Sequence, residues 1–204
     1  MDDRCRAFDA VLLRARFRAL AGFSWQPEWP RHAGQVGAGV LIPFVMRATG
    51  MQIVLTRRTD HLHHHPGQIS FPGGRVEPGD PSVMHAALRE THEEIGVPPD
   101  AVEVLGSLPE FSTPSGFCIT PLAGLLRGDA AYVPDPFEVA EIFEVPLAFL
   151  LDAGNYQSHR IAWQGGERIV QAIPWQGRFI WGATAGILAM LAAFLHERPT
   201  APAL

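Results

Sequence analysis

Glu90, Glu93 and Glu94 stand three and four positions apart, a spacing that brings all three to one face of an α-helix. Like charges so close repel by about 0.2–0.5 kcal/mol per pair on an exposed helix. A divalent cation removes that repulsion, and oxygen-only ligands suit a hard ion such as Mg²⁺ or Mn²⁺. Such a cation neutralises phosphate oxygens and activates water, so the chemistry on offer is hydrolysis of a phosphorus ester or anhydride. A bare Glu-x-x-Glu-Glu is ordinarily a solvated acidic face. Arg89 beside the triad and the Gly73-Gly74 pair upstream of it speak for more than that.

The element that must carry these carboxylates is a helix over residues 81–95. Asp80 can cap it, Pro81 suits its first position, and Gly96 and Pro98 mark its end. Met84, Leu88, Thr91 and Ile95 form a stripe that should dock it, roughly 130–140° from the acidic face. That leaves the carboxylates facing outward, with only Val83, Ala86 and Ala87 near them. Strand-like runs cover residues 40–46, 53–57, 68–71, 102–108, 119–126 and 141–145. A hairpin is expected where Gly165-Gly166 separates 160–164 from 168–173. Helices are expected over 4–22, with Phe8, Val11, Leu12, Ala15 and Ala19 as its apolar face, and over 180–196. The sum is an α/β (α+β) domain with a mixed sheet.

Composition narrows the function. The 204 residues carry 16 basic and 21 acidic side chains, a net charge of −5, and every basic residue is arginine. Without lysine there is no Schiff-base chemistry and no P-loop lysine. An acidic chain without a basic block is a poor partner for duplex nucleic acid. Cys5 and Cys118 have no metal-ligand spacing and read as reduced thiols of a cytoplasmic protein. The N-terminus lacks the apolar core of a secretory signal. The longest uncharged apolar run, 179–195, is diluted by Gly182, Thr184 and Gly186 and reads as a buried helix rather than a membrane span.

The segment from Gly73 to Val97 resembles the Nudix box, G-x5-E-x7-R-E-U-x-E-E-x-G-U with U a bulky apolar residue. Gly74, Arg89, Glu90, Glu93, Glu94, Gly96 and Val97 match it. Asp80 stands where the box has Glu, the spacer from Asp80 to Arg89 is eight residues rather than seven, and Thr91 replaces an apolar residue. The resemblance implies a Nudix fold, a mixed sheet sandwiched between helices, and Mg²⁺- or Mn²⁺-dependent hydrolysis of a diphosphate. It implies Glu90 and Glu94 as direct metal ligands, Glu93 as a further ligand, and Arg89 orienting the carboxylates. Glu90, Glu93 and Arg89 are then the catalytic group. The general base stays open between Glu90 and the later acids Glu138 and Glu141.

Upstream, Leu55, Thr56, Arg58, Gly67 and Phe71 to Gly74 resemble the extra motif of the coenzyme A diphosphatase branch, with His63 where that motif has Arg. Residues 113–121 and 179–187 resemble two further segments of the branch. The resemblance implies a small, CoA-like nucleoside diphosphate substrate, no membrane partner, and Arg58, His63, Gly73 and Gly74 as substrate contacts. It covers a domain of residues 35–196, with a helical extension over 1–34 and a tail over 197–204. His61, His63, His64 and His65 read as a solvated loop rather than a zinc site. Phe111, Phe117 and Trp181 are core residues by default and adenine-stacking candidates otherwise. Two alternatives stay in view: a diphosphatase for ADP-ribose or a dinucleotide, and a Nudix-fold binding module without turnover.

Overall fold

The computed structural model describes residues 8–19, 33–62, 65–127, 131–163 and 166–196. In chain order the elements are α1 (Ala10–Arg18), β1 (Val36–Arg47), β2 (Gly50–Arg58), β3 (Ile69–Ser70), β4 (Gly73–Arg75) and α2 (Val83–Ile95). After these come β5 (Val102–Ser107), β6 (Phe111–Ser112), β7 (Phe117–Leu126), β8 (Val139–Pro146) and α3 (Leu147–Leu151). The chain continues through β9 (Gln157–Trp163), β10 (Gly166–Trp175), β11 (Arg178–Trp181) and α4 (Gly182–His196).

The main sheet is mixed, as the strand pattern predicts. β1 pairs antiparallel with β2 at its end and parallel with β7 along most of its length. β8 and β3 add to β2, β4 to the start of β1, and β5 and β6 to β7. Alternation along β1 divides the core: Leu41 and Val45 join Ala87, Ile95 and Val97 under α2. Ile42 and Phe44 join the larger cluster on the other face, where α4 contributes Ile187, Leu188, Met190, Leu191, Phe194 and Leu195. The sheet therefore lies between α2 and α4. The apolar run over 179–195 is mostly this buried helix, and it starts at Gly182 because Arg178–Trp181 pairs as a strand with β10. β9 and β10 form the expected hairpin; Gly165 lies outside the described residues. Among the described residues no helix is long and apolar enough to cross a membrane.

Two helix faces differ from expectation. α1 is capped by Asp9, whose side chain accepts the Leu12 N–H at 2.8 Å. It buries Leu13 and Phe17, while Val11 is 71% exposed and Leu12 40%. Docking chose that stripe: the Phe17 ring packs on Phe194 of α4 at 4.9 Å, and Arg14 reaches Glu103 of β5 with bonds of 2.8 and 2.7 Å.

α2 begins two residues later than expected, and its cap is Ser82, not Asp80. The Ser82 hydroxyl accepts the His85 N–H at 3.2 Å, and Gly96, at φ 71°, ends the helix. Ala86, Ala87, Thr91 and Ile95 are buried, and Met84 is exposed. The helix is thus rotated from the expected docking, which turns the carboxylate side partly inward.

Candidate active site

The rotation of α2 follows from missing side chains on the strands beneath it. A Cβ on Gly39 of β1 would collide with the Val83 carbonyl and crowd Ala87, so α2 settles close on this strand. Glu90 and Glu94 continue the Val83–Ala87 face toward β4. There Gly74 leaves the space that the Glu90 carboxylate fills; a Cβ at that position would overlap it.

Glu94 is only 4% exposed. Its Oε2 accepts the Gly73 backbone N–H at 3.1 Å, and its Oε1 lies 3.7 Å from Nη1 of Arg58. Burial pushes its pKa up to about 8, against the opposing pull of the Gly73 N–H and Arg58. Glu90 is half-buried, and burial raises its pKa also, with Arg89 opposing. Two carboxylates are therefore held side by side where the protein solvates them poorly.

Arg89 is the hub of the rest. Its Nε and Nη2 donate to the two Asp80 oxygens at 3.1 Å each, and Nη1 donates to Glu93 at 2.9 Å. Nη2 also lies 3.1 Å from Glu90 and donates to the Arg75 carbonyl at 3.3 Å. The guanidinium holds the Asp80 carboxyl well below the usual carboxylate range, helped by the Glu77 N–H at 2.8 Å. Asp80 thus ties the loop before α2 to the second turn of the helix. Glu93 sits on the outer flank, its side chain 56% exposed.

The later acids divide. Glu141 is engaged by Arg178, with Arg57 at 3.8 Å. Glu138 lies 3.6 Å from Nη2 of Arg58, and its charge reaches both Glu90 and Glu94. Backbone bonds fix its turn: Thr59 N–H donates to the Glu138 carbonyl at 2.9 Å, and Asp135 N–H donates to the Glu94 carbonyl at 3.0 Å. Among the described residues, no three His, Cys, Asp or Glu side chains converge into a closed metal cage. Glu90 and Glu94 instead form an open pair. That donor set suits a hard ion such as Mg²⁺, which binds through one or two carboxylates and completes its shell with water and substrate phosphates.

The NUDIX domain family matches residues 36–157. A Klebsiella pneumoniae protein named "Uncharacterized Nudix hydrolase NudL" is 40% identical over 200 residues, covering 98% of this chain and 100% of its own. An Escherichia coli protein of the same name is 42% identical over 162 residues, 79% of this chain and 84% of its own. The chain belongs to the Nudix hydrolase family. Among solved structures, a MutT/nudix family protein from Enterococcus faecalis overlays with a TM-score of 0.49 at 18% identity, covering 86% of this chain and 66% of that one.

On the opposite face of the sheet this Nudix hydrolase has a cavity of about 590 Å³. Val40, Phe71, Phe111, Phe117, Trp181 and Ile187 supply its apolar walls, and Ser70, Thr113 and Ser115 are among its polar groups. Val40 pairs in register with Gly73, whose N–H bonds Glu94, so one strand pairing separates cavity from carboxylates. All three aromatic residues considered for stacking, Phe111, Phe117 and Trp181, meet here.

The histidine group is spread out. His65 lines the cavity, and the His61 ring packs edge-on against Phe137 at 4.8 Å. His63, the expected substrate contact, and His64 lie outside the described residues. Sequence reasoning named Glu138 only as one of two later acids, and it did not foresee the cavity, whose walls run from residue 40 to residue 187.

Proposed function

We propose that this Nudix hydrolase cleaves the diphosphate of coenzyme A or an acyl-CoA, giving 3',5'-ADP and (acyl-)4'-phosphopantetheine. Glu90 and Glu94 are the metal ligands in this reading, with Glu93 joining on the solvent side, directly or through water. Bound there, Mg²⁺ or Mn²⁺ supplies charge neutralisation of the diphosphate and a water of lowered pKa. The observation that carries the reading is the pairing of a buried carboxylate, Glu94, with a half-buried one, Glu90, against Gly73 and Gly74. A module that only binds has no use for two poorly solvated like charges, whereas a cation site does.

The protein's own groups have distinct work. Arg89 orients Glu90 and Glu93, and Asp80 holds Arg89. Arg58 spans Glu94 and Glu138 at 3.7 and 3.6 Å, leaving both contacts loose enough for a phosphate oxygen to compete. Glu138 is the better placed of the two later acids to take a proton from the attacking water, because Glu141 is engaged by Arg178. Gly73 and Gly74 bring the carboxylates, and the substrate's phosphates with them, close to the chain: the Gly73 N–H holds Glu94, and the Glu90 carboxylate fills the space beside Gly74.

The choice of CoA rests on Leu55, Thr56, Arg58, Gly67 and Phe71, the residues resembling the CoA diphosphatase motif. They lie on one ribbon: Thr56 pairs with Ser70 across β2 and β3, and Arg58 N–H bonds the Gln68 carbonyl at 2.9 Å. His63 in place of the motif's Arg favours a second reading, a substrate lacking the 3'-phosphate, such as ADP-ribose or a dinucleotide. A hydrolysis panel of CoA, acyl-CoAs, ADP-ribose and NADH with Mg²⁺ or Mn²⁺, with products weighed by mass spectrometry, separates them. Release of 3',5'-ADP at the highest kcat/KM supports the proposal. Faster turnover of ADP-ribose or NADH overturns it.

A further inference from the structure

We infer that the cavity opposite α2 takes the uncharged half of the substrate, the acyl-pantetheine arm, and keeps the 3'-phosphorylated adenosine outside. This rests on the diphosphatase reading and names what would set specificity within it. The first observation is charge. Among the described residues lining the cavity none is Asp, Glu or Arg, and His65 is the one titratable side chain. Burying a phosphate there without a partner is strongly unfavourable.

The second observation is the rim. Arg75 follows Gly74 on β4, and its guanidinium lies over the Phe117 ring at 5.2 Å, with no carboxylate partner among the described residues. Phe117 is a wall of the cavity. A cation one residue from the Gly73-Gly74 pair serves one of the two diphosphate phosphates. If adenosine entered from there, its 3'-phosphate would sit a ribose further in, where the lining offers no cation. The pantetheine arm carries no second phosphate and meets no such penalty.

The walls suit the arm in other ways. A cavity of about 590 Å³ holds a drug-sized molecule, the class to which a short acyl-pantetheine belongs. Ser70, Thr113, Ser115 and Gln171 offer polar atoms among apolar walls, as two amides on a flexible chain require. Ile169, another lining residue, is 63% exposed at the opening, an apolar surface along which a longer acyl chain can leave.

Ala183 lines the cavity from α4 and lies outside the carboxylate cluster, so Ala183→Phe fills the cavity without touching the metal ligands. Hexanoyl-pantetheine, which has no phosphate to hydrolyse, should bind the full chain in calorimetry with EDTA present. Ala183→Phe should weaken it at least about tenfold while leaving 3',5'-ADP binding unchanged. The kcat/KM for hexanoyl-CoA should exceed that for CoA by about tenfold or more, since even one methylene in an apolar pocket is worth about tenfold. Should Ala183→Phe melt early, Ile169→Asp at the exposed opening should likewise lower the hexanoyl-CoA to CoA ratio. Weakened 3',5'-ADP binding with hexanoyl-pantetheine unaffected would put adenosine in the cavity and overturn the inference. So would equal kcat/KM for hexanoyl-CoA and CoA. Absence of any CoA turnover in the unaltered chain sinks the CoA reading on which the inference rests, whereas turnover indifferent to acyl length sinks the cavity assignment alone.

Discussion

Asp80 accepts two hydrogen bonds of 3.1 Å from Arg89, one from Nε and one from Nη2, across the loop that leads into α2. This pair explains two of the three departures from the Nudix box together. Asp80 is one methylene shorter than the Glu of the pattern, and the spacer before Arg89 is one residue longer. A shorter acid set one position further back still reaches the same guanidinium. Arg89 is thereby fixed between Asp80, Glu90 and Glu93, and it lends its charge to carboxylates that otherwise repel.

Asp80→Asn should therefore lower kcat about 10–100-fold, the usual consequence of loosening a partner of a metal-ligand shell. Asp80→Glu should restore part of the loss. Steady-state kinetics beside a thermal melt check this, and full activity in a folded Asp80→Asn chain would show that Arg89 needs no anchor.

The pH behaviour of Glu94 follows from its burial. Its folded pKa, about 8, lies above its ordinary 4.5, so the folded chain holds the proton more tightly than the unfolded chain. The stability this gives is fully present below pH 4.5 and is lost as pH rises through 8. In EDTA, the melting temperature of the unaltered chain should fall relative to Glu94→Gln across that window. A divalent cation must displace the same proton, so Mn²⁺ affinity should climb about tenfold per pH unit toward 8 and then level. A Mn²⁺ titration that is flat between pH 6 and 8, or unchanged in Glu94→Gln, would place the cation elsewhere.

Local signals made much of the fold legible. The end of α2 at Gly96, the β-rich runs and the mixed sheet depend on short-range residue type and period. Facing did not. Which side of α2 turns inward was decided by Gly39 and Gly74, on other strands, and which stripe of α1 is buried was decided by Phe194 near the other end of the chain. Ser82 and Asp80 are both good caps by type. Asp80 is drawn to Arg89 instead, and Ser82 takes the helix. Glu138 carries no local mark at all, since its place comes from backbone bonds to Thr59 and from Asp135 to Glu94. The carboxylate motif was visible, but its burial was not, because burial is set by the absence of side chains around it.

Gly74→Ala puts a methyl group where the Glu90 carboxylate sits. The side chain can swing away, so the fold should survive with a melting temperature within a few degrees of the original. Displacing a metal ligand should nonetheless cost about 100-fold in kcat, since a misplacement of about 1 Å has that effect. A folded Gly74→Ala chain with unchanged kcat would show that Glu90 does not need this position.

Leu13 is fully buried between α1 and the main core. Leu13→Ala should destabilise the chain by about 2–5 kcal/mol in urea unfolding. Turnover per folded molecule should stay the same, because α1 touches β5 and α4 rather than the carboxylates. A loss below about 1 kcal/mol would mean that α1 is not docked in solution.

Glu138 and Glu141 offer a direct comparison of two acids three positions apart. Glu138 faces Glu90, Glu94 and Arg58, and Glu141 is engaged by Arg178 with Arg57 nearby. If Glu138 takes the proton from the attacking water, Glu138→Gln should lower kcat about 10²–10⁴-fold, the usual contribution of a general base. The amide keeps the size and removes the charge and the basicity; because Glu138 is not a metal ligand in this reading, KM and Mn²⁺ affinity should change far less than kcat. Glu141→Gln should instead weaken the contact between β8 and β11 and lower the melting temperature, with kcat nearly intact. Equal kcat losses in the two variants would return the general base to Glu90.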